Sequence, residues 1–165
     1  MTAHRQTVDL SAYPDLVVVY LGMRVNVFTG IKTLLGFGPK IESSVHARPE
    51  GLLLHENLLY SLFPPHVGMR QYWRDFESLE RWTRADPHRT WWKEFLRNTG
   101  GTGFWHELYA ARGGFEAMYV GVERPTGFLR FLPPLPATGS LFSARERLRR
   151  GGVADTAPPY SETEL

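Results

Sequence analysis

His106 and Glu107 stand side by side in the segment Gly101-Thr102-Gly103-Phe104-Trp105-His106-Glu107-Leu108-Tyr109-Ala110. An imidazole titrates near neutral pH and suits general-base work, and a carboxylate does so when burial raises it. Rich in aromatics and preceded by a glycine turn, the segment reads as a β-strand, in which neighbouring side chains point to opposite faces. Only one of the two can therefore serve a given cavity. With Glu107 inward, Trp105 and Tyr109 share its side; with His106 inward, the companions are Phe104 and Leu108. The first arrangement gathers more polar groups, because Tyr109 can hydrogen-bond beside Glu107 and Arg24 can reach it from an otherwise apolar strand. A buried carboxylate must be paired, protonated or functional. The sequence thus favours Glu107 with Tyr109 in the cavity, with Arg24 or Tyr109 placing an anion. His106 remains the base whose ordinary pKa fits the task better.

Around this segment lies a dense set of rings: Tyr72, Trp73, Trp82, Trp91, Trp92, Trp105 and Tyr109. For any single tryptophan a place in the core is the plainer reading. As a group they suit a flat apolar cavity for a planar aromatic or polyketide ligand. Tyr72, Trp73, Trp82, His88, Trp92 and Trp105 are the expected substrate-binding residues, though His88, at a helix start, also reads as a solvated cap.

Other chemistries have less support. The chain has no cysteine, which excludes disulfides, thiolate nucleophiles and cysteine-ligated metals or haem. Its six histidines form no H-E-x-x-H pattern or close pair, so no metal site is expected. Gly36-Phe37-Gly38-Pro39 lacks the lysine of a phosphate loop, and no serine sits in a nucleophile elbow. A formal charge of +2 argues against nucleic acid. The longest apolar run, Leu16 to Met23, is well short of the ~20 residues of a membrane helix, and nothing at the start resembles a signal peptide. A cytoplasmic protein with no membrane partner is the expectation.

The elements that position these residues follow from periodicity. Residues 1–14 read as a flexible N-terminus. Asp15 to Asn26 is a buried strand, and Phe28 to Leu35 a helix that Gly36 and Gly38-Pro39 should interrupt before a second piece over Lys40 to Ala47. Leu52 to Tyr60 and Val67 to Trp73 are strands. Asp75 caps a helix bearing Phe76, Leu79 and Trp82, and Pro87 opens another through Trp91, Trp92 and Phe95. Phe104 to Tyr109 and Phe115 to Val122 read as a hairpin. The order β-α-β-β-α-β plus one strand predicts an α+β, ferredoxin-like antiparallel sheet with helices on one face over residues 15–124. Residues 125–150 form a proline-broken yet apolar C-terminal arm, expected to pack on the body or a partner subunit, with a short basic helix over Ser143 to Arg150. Residues 151–165 read as a flexible tail.

The run Met69-Arg70-Gln71-Tyr72-Trp73-Arg74-Asp75-Phe76-Glu77-Ser78-Leu79-Glu80, with Pro87-His88-Arg89, Gly103-Phe104-Trp105-His106-Glu107-Leu108-Tyr109 and Leu21-Gly22-Met23-Arg24-Val25-Asn26, resembles a monooxygenase-like family. That family is typified by a fungal fumagillin-pathway polyketide oxygenase. The resemblance covers roughly residues 15–124 and is most specific in W-H-E-x-Y. It implies a homodimeric α/β barrel of two face-to-face sheets and kinship with antibiotic-biosynthesis monooxygenases, which often oxidise electron-rich polyketides without metal or flavin. The expected function is thus a monooxygenase-like oxidoreductase of secondary metabolism that needs no cofactor. Haem-binding relatives of the same barrel, aldoxime-dehydratase-like and chlorite-dismutase-like, imply an alternative in which His106 or His88 is the axial ligand. A non-catalytic carrier of a pathway intermediate is the other alternative.

Overall fold

In the computed structural model, residues 4–111, 115, 117, 119–120, 127–141 and 144–150 are described. In chain order the elements are β1 (Arg5–Thr7), β2 (Val17–Val25), α1 (Gly30–His46), β3 (Leu52–Ser61), β4 (His66–Trp73), α2 (Phe76–Arg84), α3 (His88–Arg97), β5 (Thr102–Ala110), β6 (Tyr119–Val120), β7 (Leu135–Pro136) and α4 (Ala144–Arg150). They divide into two compact units, Leu16–Tyr109 and a second made of Met1–Asp15 with Ala110–Leu165.

The first unit is α+β, with the four-stranded sheet order β3-β4-β2-β5 of a ferredoxin-like fold. β4 runs antiparallel to both β2 and β3, pairing Val19 with Gln71 and His55 with Gln71. Alternation along β2 puts Val17, Val19, Leu21 and Met23 on one face and Val18, Tyr20, Gly22 and Arg24 on the other. The first set packs under α2, where Val17, Val19, Trp73 and Leu79 form a core joined by Leu21, Leu52 and Trp82. Asp75 starts α2 as expected: its backbone is extended and its carboxylate accepts from the Ser78 amide at 2.7 Å. The side-chain hydrogen bond from Arg74, and then that amide, hold its pKa down at about 2.

α1 corrects the expected interruption. It runs unbroken from Gly30 to His46 with Pro39 inside it. A proline there costs one backbone hydrogen bond, and the helix tolerates this because Phe37 and Ile41 on either side face the same apolar space. The helix start is tied to the turn before β5. The amides of Asn26 and Val27 donate to the Gly101 carbonyl at 2.9 and 3.2 Å, and Thr33 Oγ1 donates to Gly100 O at 3.0 Å. Gly101 has φ +87°, and a side chain on Gly30 would overlap its carbonyl.

In the second unit, β1 is the middle strand of the sheet β6-β1-β7, antiparallel to both neighbours. Arg5–Thr7, assigned to a loose segment from sequence, is therefore a strand; three residues are too few to show a period. Of the expected hairpin partner of β5, Phe115 to Val122, residues 116, 118, 121 and 122 lie outside the described residues, while Tyr119 and Val120 pair with Gln6 and Arg5. Leu135–Pro136, within the expected arm, pairs with Thr7 and Gln6, and α4 supplies the basic helix, with Arg150 3.5 Å from Asp9. The segment 151–165 lies outside the described residues.

Candidate functional site

Between the sheet and the helices of the first unit is a cavity of about 560 Å³. Its floor is the helix-facing side of the strands: Val19, Leu21 and Met23 from β2, Met69 and Gln71 from β4, and Phe104, His106 and Leu108 from β5. Phe37 and Ile41 of α1, Phe76 and Trp82 of α2, and His88, Trp91, Trp92 and Phe95 of α3 enclose it. Ring packing builds the wall in two groups. Trp73 lies 5.4 Å from Trp82, Trp82 lies 4.6 Å from His88, and Trp92 stacks on Phe95 and meets Phe104 edge-on at 5.2 Å.

The two imidazoles differ. His106 lines the cavity while remaining exposed. His88 is half-buried, and its Nδ1 lies 3.0 Å from the Thr83 carbonyl. A carbonyl only accepts, so Nδ1 carries the proton and Nε2 keeps its lone pair. Burial pushes the His88 pKa below the usual histidine value, partly opposed by the Thr83 hydrogen bond. Among the described residues no three His, Asp or Glu side chains converge as metal ligands would.

β5 separates the expected catalytic residues as alternation requires. His106 enters the cavity with Phe104 and Leu108, whereas Trp105, Glu107 and Tyr109 occupy the opposite face. There Tyr109 Oη donates to Glu107 at 2.7 Å, and the carboxylate raises the phenol's pKa. The reasoning that favoured Glu107 had the polar partners right and the face wrong: Glu107 and Tyr109 do hydrogen-bond, but in the open. Arg24 is exposed and on that face too, opposite His66 in register.

Of the expected ligand-binding residues, Trp82, His88 and Trp92 line the cavity. Trp73 is fully buried beneath it, in the core. Tyr72 and Trp105 point the other way, Tyr72 under the Arg70 guanidinium at 5.3 Å. Arg70 joins this open-face network by donating to Glu56 at 2.7 Å and to Tyr20 Oη at 3.1 Å. Trp105 Nε1 donates to His66 Nε2 at 2.8 Å, spanning β2 above Gly22, and Tyr60 packs on both rings at 4.7 and 5.5 Å. Sequence reasoning missed Gln71, a buried amide on the cavity floor. Its signal was a polar residue at the inward register of a strand whose neighbours Met69 and Trp73 are apolar.

The aliphatic aldoxime dehydratase of Rhodococcus globerulus is 39% identical over 50 residues, which is 30% of this chain and 14% of that protein. A crystal structure of an aldoxime dehydratase in complex with butyraldoxime superposes with TM-score 0.66 at 22% identity, over 90% of this chain and 43% of the other. That likeness shows the fold. SnoaB, a cofactor-independent oxygenase from Streptomyces nogalater, superposes with TM-score 0.45 at 15% identity over 58% of this chain and 91% of its own. The chain thus spans under half the length of the aldoxime dehydratases it matches. The profile of one family, described as Monooxygenase af470-like, matches residues 16–128, and with most of its length inside that match the chain belongs to this monooxygenase-like family.

Proposed function

We propose that this protein is an oxygenase of secondary metabolism that binds a planar aromatic or polyketide between sheet and helices. The supporting observation is the cavity itself. Its volume of about 560 Å³ lies in the range of small-molecule sites, and its wall of Trp82, Trp91, Trp92, Phe95 and Phe104 suits a flat ring system. His106 is the base on this reading, since of His106 and Glu107 it is the one in the cavity. Removing a phenolic or activated C–H proton leaves an anion, which transfers an electron to O₂; recombination with the resulting superoxide gives a peroxide anion, and the proton held by His106 returns to it to give a hydroperoxide. Loss of water from that hydroperoxide leaves a new carbonyl, so one oxygen atom enters the product and one leaves as water. The test is O₂ uptake by purified protein with an electron-rich anthrone. His106→Ala should lower turnover by about 10²–10⁴, the usual contribution of a positioned base. No uptake with anthrones or related phenols refutes the reading.

His88 supports a second reading. With Nδ1 anchored on a backbone carbonyl and no hydrogen bond to Nε2 among the described residues, this imidazole could hold a haem iron through Nε2. In that case His88 would hold the iron, and the iron would supply Lewis-acid and redox chemistry to the same apolar cavity. A Soret band in protein purified with adequate iron distinguishes this reading from the first.

The open face of the sheet, with Tyr60 and Tyr109 about half exposed, supports pairing with a second copy as a face-to-face barrel. A monomer by light scattering at micromolar concentration would refute that assembly.

A further inference from the structure

Gln71 is 1% exposed, and its hydrogen bonds fix which way its amide points. Trp73 Nε1, which can only donate, lies 3.1 Å from Gln71 Oε1. The nitrogen end therefore points away from Trp73, with two hydrogens to place. One is directed at His55 Nδ1, 3.2 Å away. His55 must then carry its proton on Nε2, which lies 3.1 Å from Asn57 Oδ1, and Asn57 Nδ2 in turn donates to Glu42 at 3.3 Å. Every bond of this chain runs in one sense, from the Trp73 indole to the Glu42 carboxylate, so none of Gln71, His55 and Asn57 can flip without breaking two contacts. Among the described residues, the second Gln71 hydrogen has only the Met69 sulfur, at 3.7 Å. A thioether is a weak acceptor, and Met69, a flexible side chain that lines the cavity with Gln71, has to swing aside for a ligand oxygen to take its place on the amide.

We propose that Gln71 Nε2 is a pre-oriented hydrogen-bond donor for an oxygen of the cavity's aromatic ligand, and that it stabilises the oxyanion formed when that ligand is deprotonated. This rests on the reading of the cavity as an aromatic-binding site and fills the role of placing the anion, since Arg24 and Tyr109 lie on the other face. The ligand class is narrowed accordingly to aromatics bearing a phenolic or enolisable oxygen. An amide held by its neighbours before the ligand arrives loses no further freedom on binding. Replacing a sulfur acceptor by a charged oxygen strengthens the bond, because hydrogen bonds to ionised groups are about twice as strong as neutral ones.

The test uses 2-naphthol, which has one oxygen, and naphthalene, which has none, with the intact wild-type protein and Gln71→Met. Binding is measured by calorimetry, and ionisation of bound 2-naphthol by the absorption of its anion as pH is varied. The expected result is that both probes bind both proteins, and that bound 2-naphthol is about tenfold less acidic in Gln71→Met than in wild type. In wild type the Gln71 side-chain amide proton should also move further downfield with bound 2-naphthol than with bound naphthalene, whose ring current is the common background. That measurement needs no variant and stands even if Gln71→Met, which orphans the Trp73 N–H, folds poorly. Equal acidity in the two proteins, or the same Gln71 amide shift with 2-naphthol as with naphthalene, overturns this inference and leaves the aromatic cavity standing. Failure of both probes to bind wild type overturns the cavity reading and this inference together.

Discussion

Replacing Gly22 by alanine tests whether the contact between His66 and Trp105 needs the space above β2. A Cβ on residue 22 would stand 2.6 Å from Trp105 Nε1, 2.7 Å from Trp105 Cε2 and 2.9 Å from His66 Nε2. Real Cβ atoms do not approach that closely, so the indole must move and its hydrogen bond to His66 must lengthen or break. Losing a neutral hydrogen bond costs about 1 kcal/mol, and forcing side chains out of a packed position costs about 1–3 kcal/mol. Alanine returns roughly 0.4–1 kcal/mol by restricting the unfolded chain. The net expectation is a loss of about 1–3 kcal/mol, measured by urea unfolding. Gly36→Ala is the control: nothing lies within 4 Å of its added methyl in α1, so it should gain about 0.5–1 kcal/mol. The decisive measurement is Gly22→Ala in a Trp105→Ala background, where the obstructing ring is gone. There His66, at 2.9 Å the remaining close neighbour, no longer has its bond to Trp105 and can give way, so the cost should fall to less than half, as coupling between touching residues requires. An equal cost in both backgrounds refutes the argument.

Two further perturbations probe the helices around the cavity. Asp75→Ala removes the α2 cap and should cost about 1 kcal/mol at pH 7. Because Asp75 titrates lower in the folded protein, its contribution is full above the unfolded value near 4 and fades as pH falls toward about 2. The gap between wild type and variant should close over that window, and a pH-independent gap would argue against the cap. His88 also has a folded pKa below its unfolded one, so the unfolded chain takes up the proton first as pH falls from about 6.5. Wild-type stability should therefore decline with falling pH through that region and level off below the folded pKa. His88→Phe should lack this part of the slope, and an unchanged slope would refute a buried neutral imidazole.

Much of the first unit was legible because its residues obey simple periods. Val17, Val19 and Leu21 alternate cleanly, Asp75 precedes a helical stripe, and the order of the strands followed. What escaped notice depended on contacts distant in sequence. Gly36 and Pro39 look like helix breakers, and only the apolar space that takes up Phe37 and Ile41 explains why α1 continues. β1 is three residues long and is defined by its partners β6 and β7, which lie more than 100 positions away. The choice between His106 and Glu107 was undecidable from alternation, which fixes that they differ but not which is in. Polar companionship pointed to Glu107 because the sequence shows Tyr109 nearby. It does not show that the sheet's open face is as rich in hydrogen-bonding groups as its closed one.

That richness bears on how the site is built. Among the described residues β5 lies at the edge of the four-stranded sheet with β2 as its neighbour, so its roll about its own axis is less constrained than that of a central strand. Trp105, held by His66 from β4 across Gly22, and Tyr109, packed edge-on against Tyr20 at 5.9 Å, restrain it from the open side. Since alternate side chains share one backbone, restraining Trp105 and Tyr109 also aims Phe104, His106 and Leu108 into the cavity. Gln71 stands on β4, with β2 between it and β5. At about 4.8 Å per strand, its backbone and that of His106 are at least about 9–10 Å apart. A base and a donor so separated do not satisfy each other, which leaves both available to whatever lies between them. The arrangement favours a ligand long enough to reach both, with its acidic hydrogen near β5 and its oxygen near β4. A ligand whose proton and oxygen belong to the same hydroxyl meets only one of the two groups. A ring system that separates an activated C–H from a carbonyl meets both, so on the proposed reading anthrone-like substrates should be turned over in preference to simple phenols.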